Sequence, residues 1–371
     1  MIDLRSDTIT RPTQAMRQAM FEAPVGDDVY GEDPTIRQLE ERAAALLGQQ
    51  AALFCASGSL ANLLGVWLLV PRGGELLCDS QAHVVRAEAG AHAALHGVQT
   101  RTWTSRRGLA DPTDVIPLLA EPTPHLVSVA AVELENSHNF GGGTIQPVEA
   151  VAAIAAACRQ RGMGLHLDGA RLANAAVACH RPLADWGREA TTVTLCLSKG
   201  LGAPVGTILA SSPDRIARAR QQRKRLGGGW RQAGVLAAAG LHALDHHIDR
   251  LAHDHANARL IRQTVQERAP QAVTDPCQTN IVILRTAPGQ AERVARLARQ
   301  QGVLVSQLDS ATLRVVTHLD VTAGQCAEAA DILADLLAAE PVPAADQADQ
   351  ADQTDALVAA PAVDRRATDQ V

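Results

Sequence analysis

Between residues 51 and 211, short apolar runs alternate with longer stretches of helical period. AALFCAS (51–57), ELLCD (75–79), HLVSVAAVEL (125–134), LHLD (165–168) and the two runs of TVTLCLSKGLGAPVGTILASS (192–212) read as strands. One intervening helix is well marked: Asp33 suits its N-cap, Pro34 its first position, and Ile36, Leu39, Ala43, Leu46 and Leu47 share a face before Gly48 ends it. LANLLGVWLL and PVEAVAAIAAACRQRG (147–162) read as further helices. Strands separated by ten or more residues of helix predict an α/β fold, a mostly parallel sheet covered by helices.

The flanking segments differ. Residues 1–32 open extended (LRSDTIT), form a short helix after Pro12 and enter the loop GDDVYGED. After the break RLGGGWRQAG (225–234) comes a long helical region reaching about Arg268. NIVILR, VLVSQ and TLRVVTHL then alternate with the helix AERVARLARQQG, and a Thr322/Gln325 capping box starts a closing helix. The expected organisation is an N-terminal segment (1–32) contributing to the site and the small domain, a large domain (33–245), a smaller C-terminal α+β domain (246–340) and a low-complexity, disordered tail (341–371) rich in Ala, Asp and Gln.

Composition narrows the function. Apolar residues make up 46% and aromatics only 2%, so the core is built from Ala, Leu, Val and Ile. A net charge of −6 gives no reason to expect nucleic acid or a membrane surface, and RQQRKR (220–225) reads as a solvated helix face. The seven cysteines form no CxxC pair, which fits free thiols in a reducing compartment. MIDLRSDT lacks the pattern of a signal peptide, and LLGVWLLV falls short of the roughly 18 residues that span a bilayer. A cytoplasmic protein is expected.

The candidate chemistry centres on Lys199, where an apolar strand hands over to the turn Ser-Lys-Gly-Leu-Gly. Desolvation there favours the neutral amine that attacks carbonyls, although a lysine capping a strand end is an equal reading of the same residues. Asp168 leaves a parallel-type strand at its carboxyl end, where open α/β sheets bind ligands. It either caps the next turn or, if buried, needs a cationic partner. Gly58-Ser59 between strand and helix offers backbone N–H groups to an anion, a weak signal that is neither GxGxxG nor a P-loop. His242 and His246 lie one turn apart, but HALDH lacks the Glu of HExxH, so no metal is expected there.

Together, SGSLANL (57–63), DGAR (168–171) and SKG (198–200) resemble pyridoxal-phosphate (PLP) enzymes of the aspartate-aminotransferase fold. LRSDT (4–8), PVGDDVYGEDPT (24–35), AHVVRAEAG (82–90), ENSHN (135–139), LGGGWRQAG (226–234) and LRVVTHLDVT (313–322) narrow the resemblance to the low-specificity L-threonine aldolases, over nearly all of residues 1–340. Departures are Ser59 in place of Thr, Phe140-Gly-Gly-Gly in a variable loop, and Trp230 where Met is common.

The resemblance implies that Lys199 holds the cofactor as a Schiff base, Asp168 binds its ring nitrogen and His83 stacks on the ring. Gly58 and Ser59 would bind the phosphate, helped by Arg231 and Lys224 of a neighbouring subunit; Arg171 also borders the cofactor. Ser6, Arg171 and Arg314 would grip the substrate carboxylate. Tyr30, Glu88 and His125 would lie near the reacting end, with His83, His125 or a water near Glu88 as the base. Read without the resemblance, His125 is a strand-end residue and Arg314 a solvent-facing strand arginine. His83 and Glu88, five apart, share a site only if the chain bends between them.

The implied reaction cleaves L-threonine, L-allo-threonine or another β-hydroxy-α-amino acid to glycine and an aldehyde, in a homo-oligomer that is at least a dimer and, by family expectation, a tetramer. Alternatives are another PLP lyase of this fold, β-eliminating or hydroxymethyltransferase-like, and a non-catalytic PLP-binding regulator.

Overall fold

The twelve strands of the computed structural model, which describes residues 1–119 and 123–339, are β1 (Ile2–Asp3), β2 (Ala51–Cys55), β3 (Glu75–Asp79), β4 (Gln99–Trp103), β5 (Val129–Glu135), β6 (Gly164–Asp168), β7 (Thr192–Cys196), β8 (Thr207–Ser211), β9 (Ile281–Arg285), β10 (Val303–Leu304), β11 (Ser306–Asp309) and β12 (Thr312–Val316). The alternation between 51 and 211 produces a seven-stranded sheet of order β2-β8-β7-β6-β5-β3-β4. Strands β4, β3, β5, β6 and β7 run parallel, while β8 is antiparallel to both β7 and β2. Except for the largely exposed edge strand β4, the strands are buried almost throughout because helices cover both faces, which is why they read as apolar runs.

Parallel strands end on one edge, so β3, β5 and β6 deliver Asp79, Glu135 and Asp168 to the same side, with Glu135 directly beside Asp168 in register. The chain places its functional loops along that edge. Helix Pro34–Leu47 starts as expected, Asp33 Oδ1 accepting from the N–H groups of Thr35 and Ile36, and Gly48 closes it at φ 66°. Helix Gly58–Leu69 takes its cap from Ser57, whose Oγ accepts from Leu60 N–H, and carries Asn62 into the interior.

A second core gathers Ile2 and Leu4 with Ala258, Ile261, Val265, Val282, Leu284, Leu313, Val315 and Leu333. It lies against the antiparallel sheet β11-β12-β9 and the parallel pair β1-β10. Leu313 and Val315 point into this core, and period-two alternation turns Arg314 to the other face, beside Ile283. No helix among the described residues is long and apolar enough to cross a membrane.

Several local expectations are corrected. LRSDTIT (4–10) holds no strand: the paired residues, Ile2–Asp3, precede it, and Ser6 caps a 3-10 turn at Asp7–Ile9. The strand expected at 125–134 begins at Val129, since Thr123 and Leu126 close a turn before it. The helical region beyond residue 234 is two helices, Gly234–His246 and Leu251–Arg268, and VLVSQ is split between β10 and β11. The tail at 341–371 lies outside the described residues.

Candidate active site

Asp168 leaves β6 almost fully buried. Its Oδ1 accepts from Ala170 N–H (2.9 Å), and its Oδ2 accepts from the Asn62 amide (2.8 Å). Burial pushes its pKa upward, but the nearby Lys199 ammonium, followed by His83, overcomes this and holds it below the ordinary carboxylate value. Asp168 is thus an anion facing cations, the state needed to hold a protonated ring nitrogen.

Lys199 sits just past β7, the strand next to β6, half-buried in a turn fixed at several points. Its carbonyl accepts from Gly202 N–H (2.9 Å) and from Thr10 Oγ1 (2.8 Å), so the N-terminal segment pins the loop.

His83 and Glu88 meet although neither ideal element would pair them. The short helix His83–Arg86 ends at once, Ala89 and Gly90 adopt positive φ (52° and 67°), and the chain folds back. This brings His83 Nδ1 to 2.9 Å from Glu88 Oε1. A carboxylate only accepts, so the proton of a neutral His83 is on Nδ1, leaving Nε2 as the open nitrogen. The hydrogen bond to Glu88 raises the His83 pKa above its ordinary value, outweighing burial. One such atom from each of His83, Glu88 and Asp168 lies within 4.8 Å of the other two.

Asn62 and Glu135 complete this arrangement and were not singled out in the sequence, although both lie in quoted motifs. Asn62 Nδ2 donates to both Glu88 and Asp168, at 2.8 Å each. Glu135 accepts from His83 N–H through Oε2 (2.9 Å) and from Asn139 N–H through Oε1 (2.7 Å). The signal available was polarity: a Glu ending an apolar strand and an Asn on an otherwise apolar helix need partners.

A cavity of about 290 Å³ opens onto His83 and Lys199, its wall including Ser6, Asn139, Phe140 and Arg314. Arg314 is not the solvent-facing arginine of the simple strand reading. Burial lowers its pKa to about 10, and it donates to Asn139 Oδ1 (2.7 Å) and to the Arg5 carbonyl (3.3 Å). Arg171 also lines the cavity but is largely engaged. It makes a two-pronged contact with buried Asp7 (2.8 and 2.7 Å) and donates to Asn139 Oδ1 (3.2 Å). Three of its five N–H donors thus hold the site's own frame, which leaves two.

Gly58 and Ser59 form the first turn of their helix. Their N–H groups precede the first intrahelical donor and are free for an anion. Nearby Thr207 Oγ1 is buried with no hydrogen-bond partner among the described residues, 3.8 Å from where a Gly58 Cβ would stand. A phosphate fits this cradle. With an anionic Asp168 and a lysine on adjacent strands, the residues present fit PLP.

Four expected residues lie apart from this cavity within the chain. Tyr30 is 76% exposed, Arg231 is exposed and paired with Asp27 at 3.0 Å, and Lys224 is exposed on helix Pro213–Arg225. His125 is exposed in the Thr123–Leu126 turn, which corrects its reading as a strand end. Of the histidines on helix Gly234–His246 and just after it, His242 packs its ring against those of His246 and buried His247, and His247 bonds the Leu201 carbonyl.

Comparison with known proteins places this geometry. The family model described as β-eliminating lyase matches residues 3–288. A low specificity L-threonine aldolase of Escherichia coli is 40% identical over 331 residues, covering 89% of this chain and 97% of that protein. A solved Leishmania major threonine aldolase has a similar fold (TM-score 0.78, 21% identity, covering 91% of this chain and all of that one). So does a structure of SPT with PLP (TM-score 0.69, 16% identity, covering 90% and 87%). The chain belongs to the β-eliminating lyase family and, within it, to the low-specificity L-threonine aldolases.

Proposed function

We propose that this protein is a PLP-dependent aldolase that cleaves L-threonine and related β-hydroxy-α-amino acids to glycine and an aldehyde. The observation that carries the proposal is the meeting of Lys199, Asp168 and the His83–Glu88 pair at the carboxyl ends of neighbouring strands, beside a cavity with Arg314 in its wall. Bound PLP supplies an electron sink for the pair released when the Cα–Cβ bond breaks.

The chain's residues supply the rest. Lys199 is the amine that anchors PLP covalently, Asp168 keeps its ring nitrogen protonated, and the first-turn N–H groups at Gly58 and Ser59 take its phosphate. Arg314 and Ser6 receive the substrate carboxylate, with the two remaining N–H donors of Arg171 beside them. This grip sets the rotation about Cα, and hence which bond is presented for cleavage. His83, with Nδ1 tied to Glu88, takes the β-hydroxyl proton at Nε2. A water held near Glu88 is the second reading for this base.

The exposed Tyr30, Lys224 and Arg231 are assigned to the site of a neighbouring copy, making a homo-oligomer of at least two chains, with a tetramer as the family expectation. The expected cytoplasmic location is supported by seven free cysteines.

The experiment compares the purified protein with Lys199→Ala. The expected result is a visible absorption band from bound PLP, and glycine and acetaldehyde in equal amounts from L-threonine, both lost in the variant. A band without aldehyde would redirect the assignment to another lyase or to a PLP-binding regulator. Absence of a band after incubation with PLP would overturn it entirely.

A further inference from the structure

Around the far side of Glu88, six buried polar atoms have no hydrogen-bond partner among the described residues: Glu88 Oε2, His92 Nδ1 and Nε2, His96 Nδ1, and both carboxyl oxygens of Glu133. Such groups are rare in native proteins unless water meets them, and a buried water makes about three hydrogen bonds. Glu88 Oε2 and His92 Nε2 are 3.7 Å apart, too long for a direct hydrogen bond, and a water about 2.8 Å from each would touch both at an angle of about 80°. His96 follows one turn after His92, and its Nε2 lies 3.2 Å from the Gln222 amide on a half-buried stretch of helix Pro213–Arg225, which gives water a way in.

We propose that His92 is a positioning residue for the His83–Glu88 pair, holding the second oxygen of Glu88 through buried water that Glu133 and His96 also bind. The inference rests on reading His83 as the site's base, and it adds what keeps that base's partner in place. Glu88 Oε1 is already engaged by His83 and Asn62, so Oε2 is the oxygen still lacking a donor. Burial lowers the His92 pKa to about 4, so its ring is neutral, with one N–H to give and one nitrogen to receive. Glu88 only accepts, so the His92 N–H is directed to it through the water.

The other groups around Glu88 explain why this donor matters. His83 and Asn62 face it from their helices, Glu133 and Glu135 come from β5, and His166 and Asp168 from β6, with Lys199 beyond Asp168. The acidic groups outnumber the cations there. Without a donor at Oε2, Glu88 is held toward His83 through its Oε1 contacts alone.

The test uses the full-length protein, with and without PLP, and follows the His83 ring by NMR titration. In His92→Leu, the His83 pKa is expected to fall by about one unit, as for a histidine losing its anionic neighbour, and His92→Gln restores it because its amide can donate to the same water. A crystal structure of the wild type is expected to show a water within hydrogen-bond reach of both Glu88 Oε2 and His92 Nε2. An unchanged His83 titration in folded His92→Leu overturns the proposal. If that variant does not fold, a wild-type crystal with no water between Glu88 Oε2 and His92 Nε2 overturns it equally. The titration without PLP does not depend on aldolase activity, so a wild type that fails to cleave threonine would remove the functional reading while leaving this result interpretable.

Discussion

The side-chain amide of Asn62 donates to two carboxylates at once, standing 2.8 Å from Glu88 Oε1 and 2.8 Å from Asp168 Oδ2. Its own oxygen is 3.2 Å from His166 Nε2, and His166 Nδ1 is 2.9 Å from Thr192 Oγ1. One neutral residue therefore fixes the distance between the group assigned to the cofactor ring and the partner of the candidate base. Replacing it by leucine removes both donors and leaves the two acids short of partners, at a cost of about 1–3 kcal/mol. Asn62→Leu is expected to unfold at lower denaturant concentration and to bind PLP at least tenfold more weakly. Equilibrium unfolding and absorbance titration with PLP check this; unchanged PLP affinity would rule out the bridging role.

The Asp7–Arg171 pair is a stability element as well as a wall of the site. Both groups are buried, so removing one partner strands a charge, and Asp7→Ala is expected to cost about 3–5 kcal/mol in urea unfolding. The Asp7 pKa is lowered to about 2 in the fold: burial opposes this, but the Arg171 charge and hydrogen bonds prevail. Because the folded value is depressed, its contribution is present above the unfolded value near 4 and is lost as pH falls toward 2. Roughly 2 kcal/mol should disappear across that window in the wild type, and not in the variant.

Activity should depend on pH through His83. The hydrogen bond to Glu88 raises its pKa, so the neutral ring that takes a proton accumulates only above the ordinary histidine value. The acidic limb of kcat/KM is expected above about 6.5. Glu88→Gln removes the anion, so the limb should move to lower pH while the plateau falls, because a weaker base accepts the proton less readily. An unmoved limb would exclude His83 as the group being titrated.

Arg314 tests the carboxylate end. Its guanidinium is oriented by Asn139 and the Arg5 carbonyl, so the fork is already aimed before substrate arrives. Arg314→Lys keeps the charge but loses the planar fork, and a fall of about 100-fold in kcat/KM is expected, against a larger loss for Arg314→Ala. Equal losses in the two variants would mean that position, and not fork geometry, is what the site uses.

Much of this protein was legible in its sequence, because the signals are local. The alternation of apolar strands with amphipathic helices determined the parallel sheet, and the Asp33-Pro34 start with its Gly48 stop determined one helix. Asp168 and Lys199 stood at strand ends, where a capping role read equally well, and the motifs around them carried the family. Tertiary structure decided what depends on groups distant in the chain. The bend at Ala89-Gly90 makes His83 and Glu88 partners, and no helical or strand period shows it. The two-pronged contact of Arg171 with Asp7 leaves no mark in the sequence, because Asp7 lies far away in the N-terminal segment. Asn62 looked like one polar residue on an apolar helix, and only the packing of that helix over β6 and β7 showed which acids it joins. Burial converts such polar residues into obligatory partners, and which partner each one finds is set by the assembled fold.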